Sequence, residues 1–203
     1  MSKDIKYYEV PTPTSEILYR TGLQQGQVLD ALFTLNFSKR LNVSLSYKGL
    51  RSLGAYRQSI ASNGNFRGTF HYRTQENQYE VRAHITSQDF FNEESGGLTA
   101  GALDNFVSEA PDFENRARLD VNLTDAENQF DGSRVYFDHS FKLISNKDSI
   151  HNKDFSNLKI GHIFTNESKS YSFTQATATT AIFGNINSTN AKNTEATRKI
   201  THN

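Results

Sequence analysis

The sequence predicts an all-β chain, an antiparallel up-and-down β-barrel of the membrane-spanning kind, present as an incomplete curved sheet of about eight to nine strands. Three observations carry this reading. From Leu29 to Leu50 apolar and polar residues alternate, with Leu29, Ala31, Phe33, Leu35 and Phe37 on one parity and Leu41, Val43, Leu45 and Tyr47 continuing it after a polar break at Ser38-Lys39-Arg40. That period of two is the mark of a two-faced strand. The alternation recurs along most of the chain in segments of about ten residues, enough to cross an apolar band of about 25 Å when tilted. The connections also sort by length, as the two rims of a membrane barrel do.

Taken in order, period two places strands over residues 15–21, 27–37, 41–50, 64–74, 78–88, 114–123, 133–144, 158–166 and 170–181. Pro11, Pro13 and Pro111 all fall between these segments, as ladder hydrogen bonding demands. Residues 38–40, 75–77 and 167–169 read as tight turns and 124–132 as an intermediate connection. Residues 51–63, 89–113 and 145–157 read as long loops. Residues 1–183 thus form one partial barrel domain. From 184 to 203 the chain is rich in Asn, Thr and Lys without an aromatic residue, and reads as a flexible polar tail or loop.

Parity fixes the pairing, because facing residues share a side of the sheet. In the first hairpin Phe37 meets Leu41, Leu35 meets Val43, Phe33 meets Leu45 and Asp30 meets Lys48. The 64–88 hairpin has two admissible registers. A two-residue turn at Gln75-Glu76 sets Tyr72 opposite Tyr79, whereas a four-residue turn sets Arg73 opposite Glu80. Over 114–144, Ala117, Leu119, Val121 and Leu123 are expected to face Val135, Phe137, His139 and Phe141. Each hairpin thereby gains one greasy face and one densely charged face.

Composition narrows the function classes. No stretch of the 203 residues approaches the roughly 20 apolar residues of a spanning helix. Hydrophobic residues make up 35% and mean hydropathy is −0.65, values a half-buried barrel tolerates. Lys plus Arg and Asp plus Glu balance at 22 each, which argues against nucleic acid as a partner. The absence of cysteine removes disulfides, thiol nucleophiles and thiolate metal sites. The first eight residues lack the apolar core of a secretory signal, so either the protein is not exported or the chain starts downstream of one. The 15 Phe and 9 Tyr, without Trp, suit either interfacial girdles or ordinary strand positions.

No phosphate-binding loop, nucleophile elbow or metalloprotease helix occurs, so an enzyme is not expected and no cofactor is called for. His71, His84, His139 and His162 lie in separate strands without ligand spacing, and no metal site is assigned. The stretch from Asp89 to Gly97 gathers acidic and amide oxygens beside a Gly pair, but without the spacing of a calcium loop it reads as a solvated connection.

Ordered strings add a resemblance. YKGLRSLG at 47–54, AHITSQ at 83–88, NEESGG at 92–97, LDVNLTDAEN at 119–128, GSRVYFDHSFKL at 132–143 and IGHIF at 160–164 together resemble the outer-membrane porin family of Bacteroidota over residues 8–183. The resemblance implies a barrel in the outer membrane and passive transport, with no catalytic residues. Members of that family are longer and begin with an export signal, so this chain is expected to be an N-terminal part of such a protein.

On this reading Asp30, Lys48, Arg67, Arg73, Glu80, Arg82, Arg116, Arg118, Asp120, Arg134, Asp138 and Lys142 line a water-filled pore. Arg51, Asp89, Glu93 and Glu94 shape its mouth. The expected partners are outer-membrane lipid, small polar solutes, and either further copies or the remaining part of the barrel. The alternative is a soluble or surface-exposed β-sandwich that binds glycan through Phe90 and Phe91. The two differ in one observable: whether a second sheet covers the face carrying Phe33, Leu35, Val43, Leu45, Val81 and Leu119.

Overall fold

The computed structural model describes residues 5–148, 153–177, 179–183 and 191–203. Among these, eight strands pair in sequence order in one antiparallel sheet. They are β1 (Thr14–Thr21), β2 (Gln27–Ser38), β3 (Leu41–Ser52), β4 (Ala61–Arg73), β5 (Tyr79–Glu94), β6 (Ala126–Asp148), β7 (Lys153–Gln175) and β8 (Ala191–His202). β1 and β8 are not paired with each other, so the sheet is an unclosed part of an up-and-down architecture.

The first hairpin follows its sequence pattern. Leu35 faces Val43, Phe33 faces Leu45 and Asp30 faces Lys48. A bulge between Asn36 and Ser38 leaves Phe37 without a partner in the register, and Leu41 pairs with Ser38 instead. Of the two registers open for the second hairpin, the structure takes the one that sets Arg73 opposite Glu80 and Tyr72 opposite Val81. The turn is closed by Thr74 N–H donating to the Tyr79 carbonyl and Asn77 N–H donating to the Thr74 carbonyl.

Later in the chain the strands depart from the expected pattern. Residues 114–123 are not a strand; they follow a short 3-10 turn at Pro111–Phe113, contain a second at Arg116–Arg118, and make a single bridge from Val121 to Leu98. The partner of β6 is β5, with Val135 opposite Ile85 and Asp138 opposite Arg82. Residues 158–166 and 170–181 are not separate strands, because β7 runs through 167–169 without a turn. Residues 145–157 are not a long loop: β6 continues to Asp148 and β7 begins at Lys153. Finally, Ala191–His202 is a strand paired to β7 rather than a tail, and it carries the β-branched Thr194, Thr197, Ile200 and Thr201.

The connections still sort by rim. Residues 39–40, 74–78 and 149–152 join strands on one rim, the last outside the described residues. Residues 22–26, 53–60, 95–125 and 176–190 join them on the other. The longest of these folds on itself. Helix α1 (Ala100–Val107), capped by the Thr99 side chain accepting from Ala102 N–H, packs with the chain that follows so that Ala102, Leu119, Val121, Leu123 and Ala126 are buried. The alternation at 119–123 therefore reflects burial in this insert, which a period-two reading cannot tell from a strand.

One face of the sheet is apolar and open. The register sets Phe33, Leu45, Gly68, Ile85 and Val135 in one row, and Leu35, Val43, Phe70, Ala83, Phe137 and Phe164 in the next. Among the described residues no second sheet covers it. Val81 alone of the buried core residues lies on this face, set between its register partners Tyr72 and His139. Leu119 belongs to the insert. One row further on, Tyr47 lies over Gly49 and Gly64: a Cβ at Gly49 would sit 2.9 Å from its ring, and one at Gly64 3.1 Å from its hydroxyl. Glycine here lets an aromatic ring lie flat on the strands.

Candidate functional site: the polar face

The opposite face is polar in successive rows, because each strand alternates and the pairs stay in register. One row holds Asn36, Asn42, His71, Arg82 and Asp138; the next holds Thr34, Ser44, Thr69, His84 and Tyr136. Beyond them come Ser46, Arg67, Thr86, Arg134 and Glu167, and then Asp30, Lys48, Asn65, Gln88, Gly132 and Lys169. Burial is inverted relative to a soluble sheet. On the polar face Thr34 is 1% and His84 2% exposed, whereas on the apolar face Leu45 is 48% and Ile85 51% exposed. A water-soluble fold would hide the second pair and wet the first.

Side chains on the polar face satisfy one another. Asn42 donates from Nδ2 to Thr34 Oγ1 at 3.0 Å and to Asn36 Oδ1 at 2.6 Å, and the Ser44 and Thr69 hydroxyls hydrogen-bond. Charges pair across strands, Lys48 with Asp30 at 3.3 Å and Arg134 with Glu167 at 2.7 Å, and along β5, Arg82 with Glu80 at 2.6 Å. Lys169 reaches the same Glu167 carboxylate at 3.4 Å, and His71 Nε2 lies 3.1 Å from Glu80 Oε1. Arg67 donates from Nε to Ser46 Oγ at 3.0 Å.

The segment before β1 lies across this face. The Tyr7 hydroxyl is 2.9 Å from His84 Nδ1, the Tyr7 ring lies 6.3 Å from those of His71 and His84, and the Arg82 guanidinium is 6.0 Å above it. Glu9 pairs with Arg73 at 2.7 Å, and Val10 N–H donates to Asn36 Oδ1 at 3.5 Å. Burial, with Tyr136 and Asp138 nearby, pushes the Tyr7 phenol above its ordinary value and keeps it neutral as a donor. His84 stacks on Tyr136 at 4.7 Å; its Nδ1 hydrogen-bonds with the Tyr7 hydroxyl, and its buried Nε2 has no partner among the described residues.

A family model described as "Putative porin" matches residues 1–203. The chain belongs to this porin family. No curated protein and no solved structure matches it. Pore families of this kind are not enzymes, and the exposed apolar face of this porin chain, set against a sheltered polar one, agrees with the family.

Of the twelve residues expected to line a pore, Asp30, Lys48, Arg67, Arg73, Glu80, Arg82, Arg134, Asp138 and Lys142 share the polar face. Arg116, Arg118 and Asp120 lie elsewhere, in the insert: Arg116 stacks over Phe106 at 4.3 Å, Arg118 donates to the Asp112 carbonyl, and Asp120 pairs with Arg57 at 2.6 Å. The mouth residues are not in a loop. Arg51 is in β3, and Asp89, Glu93 and Glu94 are in β5, because β5 runs on to Glu94. Strand alternation puts Asp89 and Glu93 on one face and Asn92 and Glu94 on the other, which divides the expected oxygen cluster. Glu93 accepts from Ile60 N–H at 3.0 Å, and Asn92 donates to Asn128 at 3.2 Å. His139 and His162 lie on the apolar side with Tyr79 and His202, and His162 Nε2 is 3.2 Å from His202 Nδ1.

Sequence reasoning missed Tyr7, Glu9, Glu167 and Lys169. The last two sit where a Glu-Ser-Lys run imitates a turn, and the first two precede any alternation.

Proposed function

We propose that this chain is part of an outer-membrane pore that passes small polar solutes by passive diffusion, its apolar face against lipid and its polar face against water. The inverted burial of the sheet is the observation that carries this. His84 and Asn36 sit under residues 5–10 and Thr34 is buried beside them, while Leu45, Ile85 and Val135 stand uncovered. Tilt agrees: the exposed belt spans Leu29 to Phe37 on β2 but Val135 to Phe141 on β6, although Leu35 and Phe137 are level, so the belt shifts along the strands as a barrel's stagger requires.

Among the described residues both β1 and β8 present unpaired backbone edges, each unmet group costing several kcal/mol in lipid. Closure therefore calls for strands beyond these eight or for another copy of the chain. Paired charges on the polar face set a transverse field for passing solutes. Residues 5–10 cross that face and narrow the path.

Reconstitution tests the reading. In planar bilayers the protein gives ohmic, stepwise currents in potassium chloride, and liposomes carrying it swell in isosmotic solutions of small sugars and amino acids. Liposomes that bind the protein yet remain impermeable to both ions and solutes refute it.

A further inference from the structure

One row of the polar face breaks its chemistry. Next to the row of Lys48, Asn65, Gln88 and Lys169, toward the long-loop rim, the register sets Leu50, Asn63, Phe90, Phe130 and Tyr171 side by side on five consecutive strands. Phe90 and Phe130 lie with ring centroids 6.0 Å apart. Phe90 is 41% and Tyr171 38% exposed, so these side chains are not roofed by the insert, whose own core is Leu119, Val121 and Leu123. Strands stand about 4.8 Å apart, so three aromatic residues on β5, β6 and β7 make an apolar ledge in a wall that is mostly hydrophilic. Exposing such a ledge to water is unfavourable unless something lies on it.

The geometry points to a carbohydrate-binding track at the pore mouth, with Phe90, Phe130 and Tyr171 taking the C–H faces of neutral sugars. The inference rests on the pore reading above and names its solute class. Amides frame the ledge on both sides. Asn65 donates to Gln88 at 3.4 Å in the row before it, and Asn92 donates to Asn128 at 3.2 Å in the row after it. Amides offer donor and acceptor together, the pairing a sugar hydroxyl presents, and the two lysines of the adjacent row are already matched by carboxylates, Lys48 by Asp30 and Lys169 by Glu167, rather than clustered for a phosphate or carboxylate. Gly132 keeps the wall low beside Phe130: a Cβ there would meet the Gln88 side chain at 3.2 Å and the Phe130 ring at 3.4 Å.

The chain contains no Trp, so F90W places one reporter on the ledge. Titrating this variant in detergent micelles with maltotriose gives a saturable fluorescence change, half complete on the order of millimolar, the range expected of a few stacked rings. In bilayers, maltotriose blocks the wild-type current. F130A and Y171A each weaken the block about ten-fold relative to the salt current of the same variant, the loss of roughly 1.4 kcal/mol of stacking. A protein that conducts salt but shows neither block nor fluorescence titration overturns the sugar track and leaves the pore intact. A saturable titration without conduction supports the track and refutes the pore. Tighter binding of benzoate or adenosine than of maltotriose overturns the assignment to sugars.

Discussion

Arg134 and Glu167 face each other across β6 and β7, with Nη2 at 2.7 Å and Nε at 3.2 Å from the same carboxylate oxygen. Their side chains are about one fifth exposed, and Lys169 approaches the same oxygen. The pair stands midway between a solvated surface bridge and a buried one. E167Q is expected to lower unfolding free energy in micelles by about 1 to 3 kcal/mol, since it strands Arg134 without its anion. It also leaves two cations facing the path, so reversal potentials in a salt gradient shift toward anion preference, and R134Q shifts them the other way. Identical reversal potentials for both variants would remove these residues from the pore wall.

The two faces make opposite demands on charge. I85K puts an ammonium on the exposed apolar face and is expected to cost about 2 to 4 kcal/mol of folding free energy in lipid vesicles, the range for a cation at mid-membrane. T86K, one residue along on the polar face, is expected to change it by less than about 1 kcal/mol. Equal losses for the two variants would mean that the apolar face does not meet lipid.

Residues 5–10 are held by few contacts, so their effect on the path is separable. Substituting Tyr7 and Glu9 together by Ala removes the contact to His84, the ring beneath Arg82 and the pair with Arg73. Single-channel conductance is then expected to rise by roughly a factor of two, or to flicker openly, as a strap leaves the wall. An unchanged trace from the double variant would show that the segment does not narrow the path.

What the sequence made legible was set by local periodicity. Strands β1 to β4 appear close to their observed bounds because Phe33, Leu45 and Phe70 alternate with Thr34, Ser44 and Thr69 against one apolar phase, whereas β5 is legible only to residue 88 and runs on to Glu94. The pairing of Asp30 with Lys48 follows from that phase alone. Failure came where the same pattern had another cause or where pattern was missing. Leu119, Val121 and Leu123 alternate because a helix and a loop bury them, and β8 lacks alternation yet forms because β7 offers it an edge. Glu167 and Lys169 lie where β7 has passed beyond the apolar belt, so both faces are polar and the segment resembles a turn. The contact of Tyr7 with His84 spans 77 positions, beyond any local rule.

The insert between β5 and β6 is a folded unit with its own core, and its anchors are few. Leu119 is fully buried, and the unit is tied to the β3–β4 connection by the 2.6 Å pair of Arg57 with Asp120 and to the β7–β8 connection by Thr177 N–H donating to Asp125 at 2.7 Å. L119A removes the centre of that core, a change worth about 2 to 5 kcal/mol for a large-to-small substitution. Four of the five buried residues of this cluster, Ala102, Leu119, Val121 and Leu123, belong to the insert and only Ala126 to the sheet, so the loss is expected to fall on the insert, with local opening before global unfolding. Limited trypsin digestion is expected to cut at Arg116 and Arg118 at least ten-fold faster in L119A, as a local stability loss above about 1.4 kcal/mol implies, while the resistance of the sheet to heat and denaturant is retained. A variant that loses sheet stability in step with the new cleavage would show instead that the insert and the sheet fold as one cooperative unit.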